Sequence, residues 1–70
     1  MIKYDRLWNL LHARGMSKNA FSTKYNISRS LMSRLNQNCS VNTNTLDRIC
    51  NILECRIEDI MEHIPDNNRF

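Results

Sequence analysis

Four polar side chains in the middle of the chain are spaced so that one helix would present them together. They stand at positions i, i+1, i+4 and i+5, which share one side of an α-helix, and they are Arg29, Ser30, Ser33 and Arg34. An Arg guanidinium can bond O6 and N7 of guanine together, and a Ser hydroxyl can donate to a base or accept from one. The surrounding residues 16–36 include four basic residues and no acidic one. This chemistry favours a polyanionic partner, and duplex DNA is the first to consider.

The charges are separated along the chain. Between Arg6 and Leu46 the sequence has six Lys or Arg residues and no Asp or Glu, whereas residues 54–66 have five acidic residues against Arg56 alone. The pattern indicates a basic face for a polyanion and an acidic end turned away from it. A solvated surface whose charges are separated by chance is the alternative.

No residue pattern indicates catalysis or a bound cofactor. There is no Ser, His and acidic set in plausible register, no carboxylate pair in an apolar setting and no Gly-rich phosphate loop. Cys39, Cys50 and Cys55 form no C-x-x-C pair, and His12 and His63 lack a neighbouring ligand, so we expect no metal site. Reduced cysteines and the lack of a signal peptide or membrane segment predict a cytoplasmic protein. We therefore expect neither an enzyme nor a cofactor or small-molecule ligand.

Apolar residues at helical spacing predict the elements that would position the polar face. The first helix runs from about Tyr4 to Arg14 and stops at Gly15, a residue that commonly ends helices. The second begins after Ser17, whose hydroxyl can cap it, and ends at Asn26, which tolerates the left-handed conformation.

Three more helices follow in the second half of the chain. Ser28 caps the third predicted helix, whose buried stripe is Leu31, Met32 and Leu35. Asn42 or Thr43 caps the fourth, whose stripe is Leu46, Ile49, Cys50 and Leu53. A last short helix spans Ile57 to Met61, and its inward residues are Ile57, Ile60 and Met61.

The length of 70 residues allows one small domain, since a chain of this size has no room for a second core. We place that domain at residues 1–65, followed by a polar tail at residues 66–70. The chain has one Gly and one Pro, so an all-α, compact five-helix bundle is expected. Ile2 and Ile64 could pair as short terminal strands.

The second and third predicted helices have the spacing of a helix-turn-helix. Ser22 is small enough to let the two helix axes approach closely. The apolar residues that would clamp one helix across the other are Phe21, Tyr25, Ile27, Met32 and Leu35. A helix held in this way fits the major groove of DNA, which is about one helix wide.

Several segments, in this order, resemble the Cro and phage-repressor (XRE-type) family of helix-turn-helix proteins, in particular its small single-domain bacterial and phage members. The matching segments cover nearly the whole chain, and they are Met1–Tyr4, Leu7–Leu11, Gly15–Lys18, Ile27–Leu35, Thr45–Cys50 and Leu53–Glu62. The resemblance implies a lambda-repressor-like domain of five helices. In such a domain the third helix reads bases, and the amino ends of the second and fourth helices hold phosphates.

The resemblance also assigns individual residues. Groove-facing positions fall on Ser28, Arg29, Ser30, Ser33 and Arg34. Phosphate-contacting positions fall on Ser17, Lys18, Gln37, Asn38 and Asn44. Lys18 departs from the Gln common in the family, and Asn26 and Asn38 stand in place of Gly. Two alternatives stay open, because Ser28 can serve only as a cap and Arg34 can reach a phosphate instead of a base.

These features predict a sequence-specific, double-stranded DNA-binding regulator of transcription, with repression favoured over activation. Family members usually bind pseudo-palindromic operators as dimers, and the apolar candidates for a homodimer contact are Met61, Ile64 and Phe70. The alternative is a small protein-binding regulatory factor that masks another regulator without binding DNA. Such a factor would use the acidic end, residues 54–66.

Overall fold

The computed structural model describes residues 1–66, in which four α-helices are joined to one short pair of strands. In chain order the elements are β1 (Ile2–Lys3), α1 (Asp5–Ala13), α2 (Lys18–Lys24), α3 (Arg29–Asn36), α4 (Thr43–Leu53), a 3₁₀ turn (Ile57–Asp59) and β2 (Glu62–His63). The four long helices of the sequence prediction therefore form. Among these residues no helix is long and apolar enough to cross a membrane.

Polar side chains begin three of the helices, as their sequence positions predict. The hydroxyl of Ser17 accepts a hydrogen bond from the backbone N–H of Ala20 at 3.0 Å, and that of Ser28 accepts one from Leu31 at 3.1 Å. Asn42, rather than Thr43, caps α4, since its Oδ1 accepts from two amides of the first turn. These bonds satisfy amides that have no partner inside their own helix.

Residues in the left-handed conformation separate the elements. Gly15 follows α1 with φ of 68°, and Asn26 follows α2 with φ of 55°. Asn38, after α3, has φ of 56°. Asn adopts this region more readily than most residues because its short polar side chain bonds locally, so the two Asn residues keep the turns for which the family uses Gly.

The core holds the helix-turn-helix together. Phe21 on α2 and Leu35 on α3 are fully buried, and Ile27 in the turn is 6% exposed. Tyr25 and Met32 are half-buried against them, and the rings of Phe21 and Tyr25 have centroids 5.6 Å apart. The other buried residues are Tyr4, Leu7, Leu11, Leu46, Ile49, Leu53 and Ile60. The clamp predicted between the two helices is therefore present, while Cys50, expected in the core, is only half-buried.

The prediction of a fifth helix is wrong. The segment that was to span Ile57 to Met61 is a 3₁₀ turn of three residues, Ile57–Asp59. The predicted inward face fails as well, since Ile60 is buried but Ile57 is 47% exposed. The carboxylate of Asp59 accepts from the backbone N–H of Arg56 at 2.9 Å, which closes a tight turn. Residues 1–66 therefore form four α-helices.

The two ends of the described chain pair with each other. β1 and β2 are antiparallel, with Ile2 opposite His63 and Lys3 opposite Glu62. The backbone N–H of Ile64 donates to the carbonyl of Met1 at 2.8 Å, so Ile64 continues the pairing just beyond β2. Short terminal strands therefore form, with Ile2 opposite His63 instead of Ile64. Phe70, expected at a dimer contact, lies outside the described residues.

Candidate nucleic-acid interface

α3 has one apolar side and one exposed polar side. Leu35 is fully buried, and Leu31 and Met32 are half-buried against the core. The other side of the helix is exposed along its length, and it carries Arg29, Ser30, Ser33 and Arg34. The buried stripe fixes the rotation of the helix about its axis, so the polar residues face solvent together.

Arg29 is the most available of these side chains. Within residues 1–66 its guanidinium makes no hydrogen bond and no salt bridge. It lines an open depression between α2 and α3, whose other lining residues are Lys18, Asn19, Ser22, Met32, Ser33, Asn36 and Gln37. All five donors of Arg29 are therefore available to a ligand.

Arg34 lies on the other side of the exposed face. Its Nη1 donates to the backbone carbonyl of Ser40 at 3.4 Å, which directs the guanidinium toward the segment between α3 and α4. It lines a second depression, and the other lining residues include Ser28, Ser30, Asn42, Thr45 and Arg48. The structure thus divides the predicted base-reading set between two depressions, with Arg29 and Ser33 in the first.

The serines of this face have partners inside the fold. Ser28 uses its Oγ to cap α3, and Ser33 Oγ accepts from the side-chain Nε2 of Gln37 at 3.0 Å. In each case the oxygen accepts, and the hydroxyl proton remains able to donate. Ser30 makes no side-chain hydrogen bond within the described range.

Lys18 begins α2 and reaches across to α3. Its Nζ donates to Oδ1 of Asn36 at 2.8 Å, and it lies 4.3 Å from the centroid of the Trp8 ring. A cation at this distance from an indole face is attracted by the negative charge density of the ring. The ammonium of Lys18 is therefore held by two neutral groups.

Asn38 has a role inside the fold. Its side chain is half-buried, and its Oδ1 accepts from the backbone N–H of Tyr4 at 3.0 Å. The hydroxyl of Tyr4 then donates to the carbonyl of Cys39 at 3.0 Å. These two bonds join the start of α1 to the segment after α3. The side chain of this phosphate candidate therefore has a structural partner, the backbone amide of Tyr4.

The remaining phosphate candidates lie at helix ends. Ser17 and Asn44 are exposed at the amino ends of α2 and α4, and Gln37 is exposed at the carboxyl end of α3. Arg48, one turn after Asn44 on α4, is a further candidate that sequence reasoning did not name. Its Nη2 donates to the carbonyl of Tyr25 at 3.0 Å, and it lines the same depression as Arg34. The i, i+4 spacing from Asn44 is the signal that could have found it.

Basic residues near α3 are held by neutral groups, whereas salt bridges occur elsewhere. Lys18 is held by an amide and an indole, and Arg34 and Arg48 are held by backbone carbonyls. The salt bridges of residues 1–66 lie at the strand pair and the first turn of α1, and they are Met1–Asp66, Lys3–Asp5 and Arg6–Glu62. Within residues 1–66, the positive charge around α3 is therefore not neutralised by salt bridges.

In this arrangement α3 packs across α2, exposes a basic face and is surrounded by further cations. These features define a helix-turn-helix DNA-binding domain. The chain belongs to the family of Cro/C1-type helix-turn-helix DNA-binding domains, whose model matches residues 6–66. No curated protein matches it significantly. Among solved structures, it is similar to the transcriptional regulator VanUg, with 34% identity and a TM-score of 0.85 over 93% of this chain and 87% of that one.

Proposed function

We propose that the protein is a sequence-specific regulator of transcription that inserts α3 into the major groove of duplex DNA. The observation that carries this proposal is the guanidinium of Arg29, which has no partner within residues 1–66 and lies on the exposed face of α3, a helix whose rotation the core fixes. A free, outward guanidinium suits bidentate recognition of guanine. The similarity to the transcriptional regulator VanUg supports the same class of function.

The assignment of base and phosphate contacts follows from what each side chain already holds. We assign base reading to Arg29, Ser30 and Ser33, and phosphate contacts to the exposed groups that flank α3. The phosphate set is Ser17, Lys18, Gln37 and Asn44. We do not assign a phosphate contact to Asn38, because its side chain already bonds the backbone of Tyr4.

The two alternatives that the sequence left open are assigned in the same way. Ser28 serves chiefly as the cap of α3, since its Oγ accepts from the Leu31 amide. Arg34 bonds the Ser40 carbonyl and shares its depression with Arg48. This position favours a phosphate contact for Arg34, with Arg48 as a second cation beside it.

We further propose that the protein acts as a homodimer on a pseudo-palindromic operator. One domain of this size reads only a half-site. Apolar side chains are exposed at the strand pair and the 3₁₀ turn, where Met1 is 50%, Ile57 47% and Ile64 37% exposed. This face, with half-buried Met61 beside it, is the candidate contact between two copies.

Ile57→Glu should lower the dimer fraction in sedimentation equilibrium without unfolding the monomer, because Ile57 is outside the core.

Repression is the mode of action we favour, since occupation of an operator that overlaps a promoter suffices to block transcription. The protein would act in the cytoplasm, on the nucleoid.

Residues 1–65 are proposed as the folding unit. A truncation after residue 65 that keeps the thermal unfolding midpoint of the full chain would support this boundary, and a large loss would contradict it.

Selection of binding sites from random duplexes tests the proposal directly. We expect a preferred half-site that contains guanine, repeated with a spacing of about one helical turn, because two symmetric domains must face the same side of DNA. Affinity should fall steeply with salt, since each neutralised phosphate contributes about 0.9 to the slope of log K against log salt. Failure to enrich any sequence, with no salt-sensitive duplex binding, would favour a protein-binding factor that uses the acidic residues 54–66.

A further inference from the structure

The side chain of Lys18 joins three helices at the edge of the proposed DNA face. Lys18 itself is the first residue of α2, Trp8 lies on α1, and Asn36 is the last residue of α3. The Lys18 ammonium is 2.8 Å from Oδ1 of Asn36 and 4.3 Å from the centre of the Trp8 ring. A flexible side chain on an exposed helix end is thus kept in one place from two sides.

Both groups that hold Lys18 are uncharged. A carboxylate would also fix an ammonium, but it would cancel the charge that a phosphate needs. In the part of the chain described, no acid pairs with Lys18, and the sequence has no acid between Arg6 and Leu46. The cation is therefore positioned while its charge stays uncompensated.

The geometry also leaves room for a ligand on the ammonium. A Lys ammonium has three N–H donors, and Asn36 takes one of them. Lys18 is exposed and lines the same depression as Arg29 and Ser33. Because a further N–H faces the Trp8 ring, one donor remains for an anionic oxygen next to the residues proposed to read bases.

We propose that Trp8 and Asn36 are positioning residues, which hold the Lys18 ammonium where a DNA backbone phosphate binds it. This inference rests on the proposed DNA binding. In this arrangement the long Lys side chain is ordered before DNA arrives, so binding loses less side-chain entropy. Neither Trp8 nor Asn36 needs to contact DNA itself.

Three variants and a matched control test the role of these residues in DNA binding. Lys18→Met removes the charge and keeps the apolar stem, and Lys24→Met makes the same change of charge at the other end of α2. Asn36→Ala removes the amide from an exposed position, and the double variant combines Lys18→Met with Asn36→Ala. Affinity for the selected duplex is measured by fluorescence anisotropy at several salt concentrations, with thermal unfolding as the check on folding.

Lys18→Met should lower the salt slope by about 0.9, the contribution of one phosphate, while Lys24→Met should leave it near the wild-type value. Asn36→Ala should weaken binding about two- to tenfold, the range expected when one long side chain is no longer ordered before binding. In the Lys18→Met background the Asn36→Ala change should have no further effect. Additive losses, or tighter binding by Asn36→Ala, would overturn the proposal, because Asn36 would then act independently of Lys18 or compete with the phosphate.

Trp8 gives a second readout, because it is the one Trp of the sequence. Its fluorescence should change when a DNA phosphate binds the Lys18 ammonium, because the ammonium lies over the Trp8 ring. This change should be absent in Lys18→Met and present in Lys24→Met. An equal change in both variants would contradict the positioning role. Wild-type protein that binds no duplex would overturn the proposed function as well, whereas wild-type binding with an unaltered Lys18→Met slope would overturn only this inference.

Discussion

Arg29 and Arg34 differ in what surrounds them, although the sequence offers them as an equivalent pair on one helix face. Arg29 has no hydrogen-bond or ion-pair partner in the described part of the chain, whereas Arg34 bonds the Ser40 carbonyl at 3.4 Å. A guanidinium that binds a base edge through two parallel N–H bonds loses less binding free energy when it has no internal hydrogen bond to break. Arg29 is therefore the better candidate for base readout, and Arg34 for a phosphate.

Substitution of Arg29 tests this difference. Arg29→Ala should abolish the preference for guanine at one position of the half-site, which corresponds to about 1–3 kcal/mol of discrimination. Arg34→Ala should weaken binding to all sequences alike and lower the salt slope. Both changes are measured by anisotropy with duplexes that replace each guanine in turn. Equal losses on every duplex for Arg29→Ala would show a phosphate contact instead, and a changed thermal midpoint would show damage to the fold.

The helices could be predicted because their signals are local. The caps Ser17 and Ser28 lie next to the helices that they begin, and Asn26 ends α2 within the same short segment. The 3₁₀ turn was missed because Ile57 and Ile60 fit a helical spacing, whereas the amides of Asp59 and Ile60 bond carbonyls three residues earlier and β2 already begins at Glu62. Local spacing alone does not reveal either constraint.

The contacts around the candidate site could be predicted less well, because they join distant parts of the sequence. Asn38 bonds Tyr4 across 34 residues, and Arg48 bonds Tyr25 across 23. Lys18 contacts Asn36 over 18 residues. The family resemblance assigned the candidate site to α3 and its flanks, but only the fold shows which of these side chains already have partners.

Asn26 and Asn38 allow the turn requirement to be separated from the side-chain bond. Both residues have positive φ, but only Asn38 accepts a bond, from the amide of Tyr4. Asn38→Gly keeps the backbone conformation and leaves that amide without its partner, so unfolding free energy should fall by about 1–3 kcal/mol. Asn26→Gly is the matched control and should change it by less than about 0.5 kcal/mol. Chemical denaturation measures both, and equal effects would contradict a structural role for the Asn38 amide.

The molecule as a whole separates its charges between two regions. The acidic residues of the carboxyl-terminal part neutralise cations at the strand pair, as in the salt bridges Met1–Asp66 and Arg6–Glu62. Around α3, Lys18, Arg34 and Arg48 are held by neutral groups, and within residues 1–66 none of the three forms a salt bridge. We therefore expect an approaching duplex to be attracted to the α3 face. Tyr4 connects the two regions, because it follows β1 and bonds the segment between α3 and α4 at Asn38 and Cys39.

Ionisation of Tyr4 should link this connection to pH. Burial, with a smaller contribution from Cys39, raises the pKa of Tyr4 above its ordinary value of 10.0, so the folded state disfavours the phenolate. The stabilisation is complete below the unfolded pKa, about 10, and is lost as the pH rises through the higher folded value. Tyr4→Phe removes the bond to Cys39 and should lower the unfolding free energy near neutral pH by about 0.5–1.5 kcal/mol.

The difference between the wild type and Tyr4→Phe should then shrink as the pH is raised above about 10, because only the wild type loses the contribution of the neutral phenol. Urea unfolding followed by circular dichroism across this range measures the difference, and Tyr25→Phe is the control, since Tyr25 is only half-buried. In Tyr25→Phe, where Tyr4 is the one remaining Tyr of the sequence, absorbance near 295 nm should show a pKa of Tyr4 above its ordinary value. A difference between wild type and Tyr4→Phe that stays constant from neutral to strongly alkaline pH would show that the Tyr4 hydroxyl does not couple stability to its own ionisation.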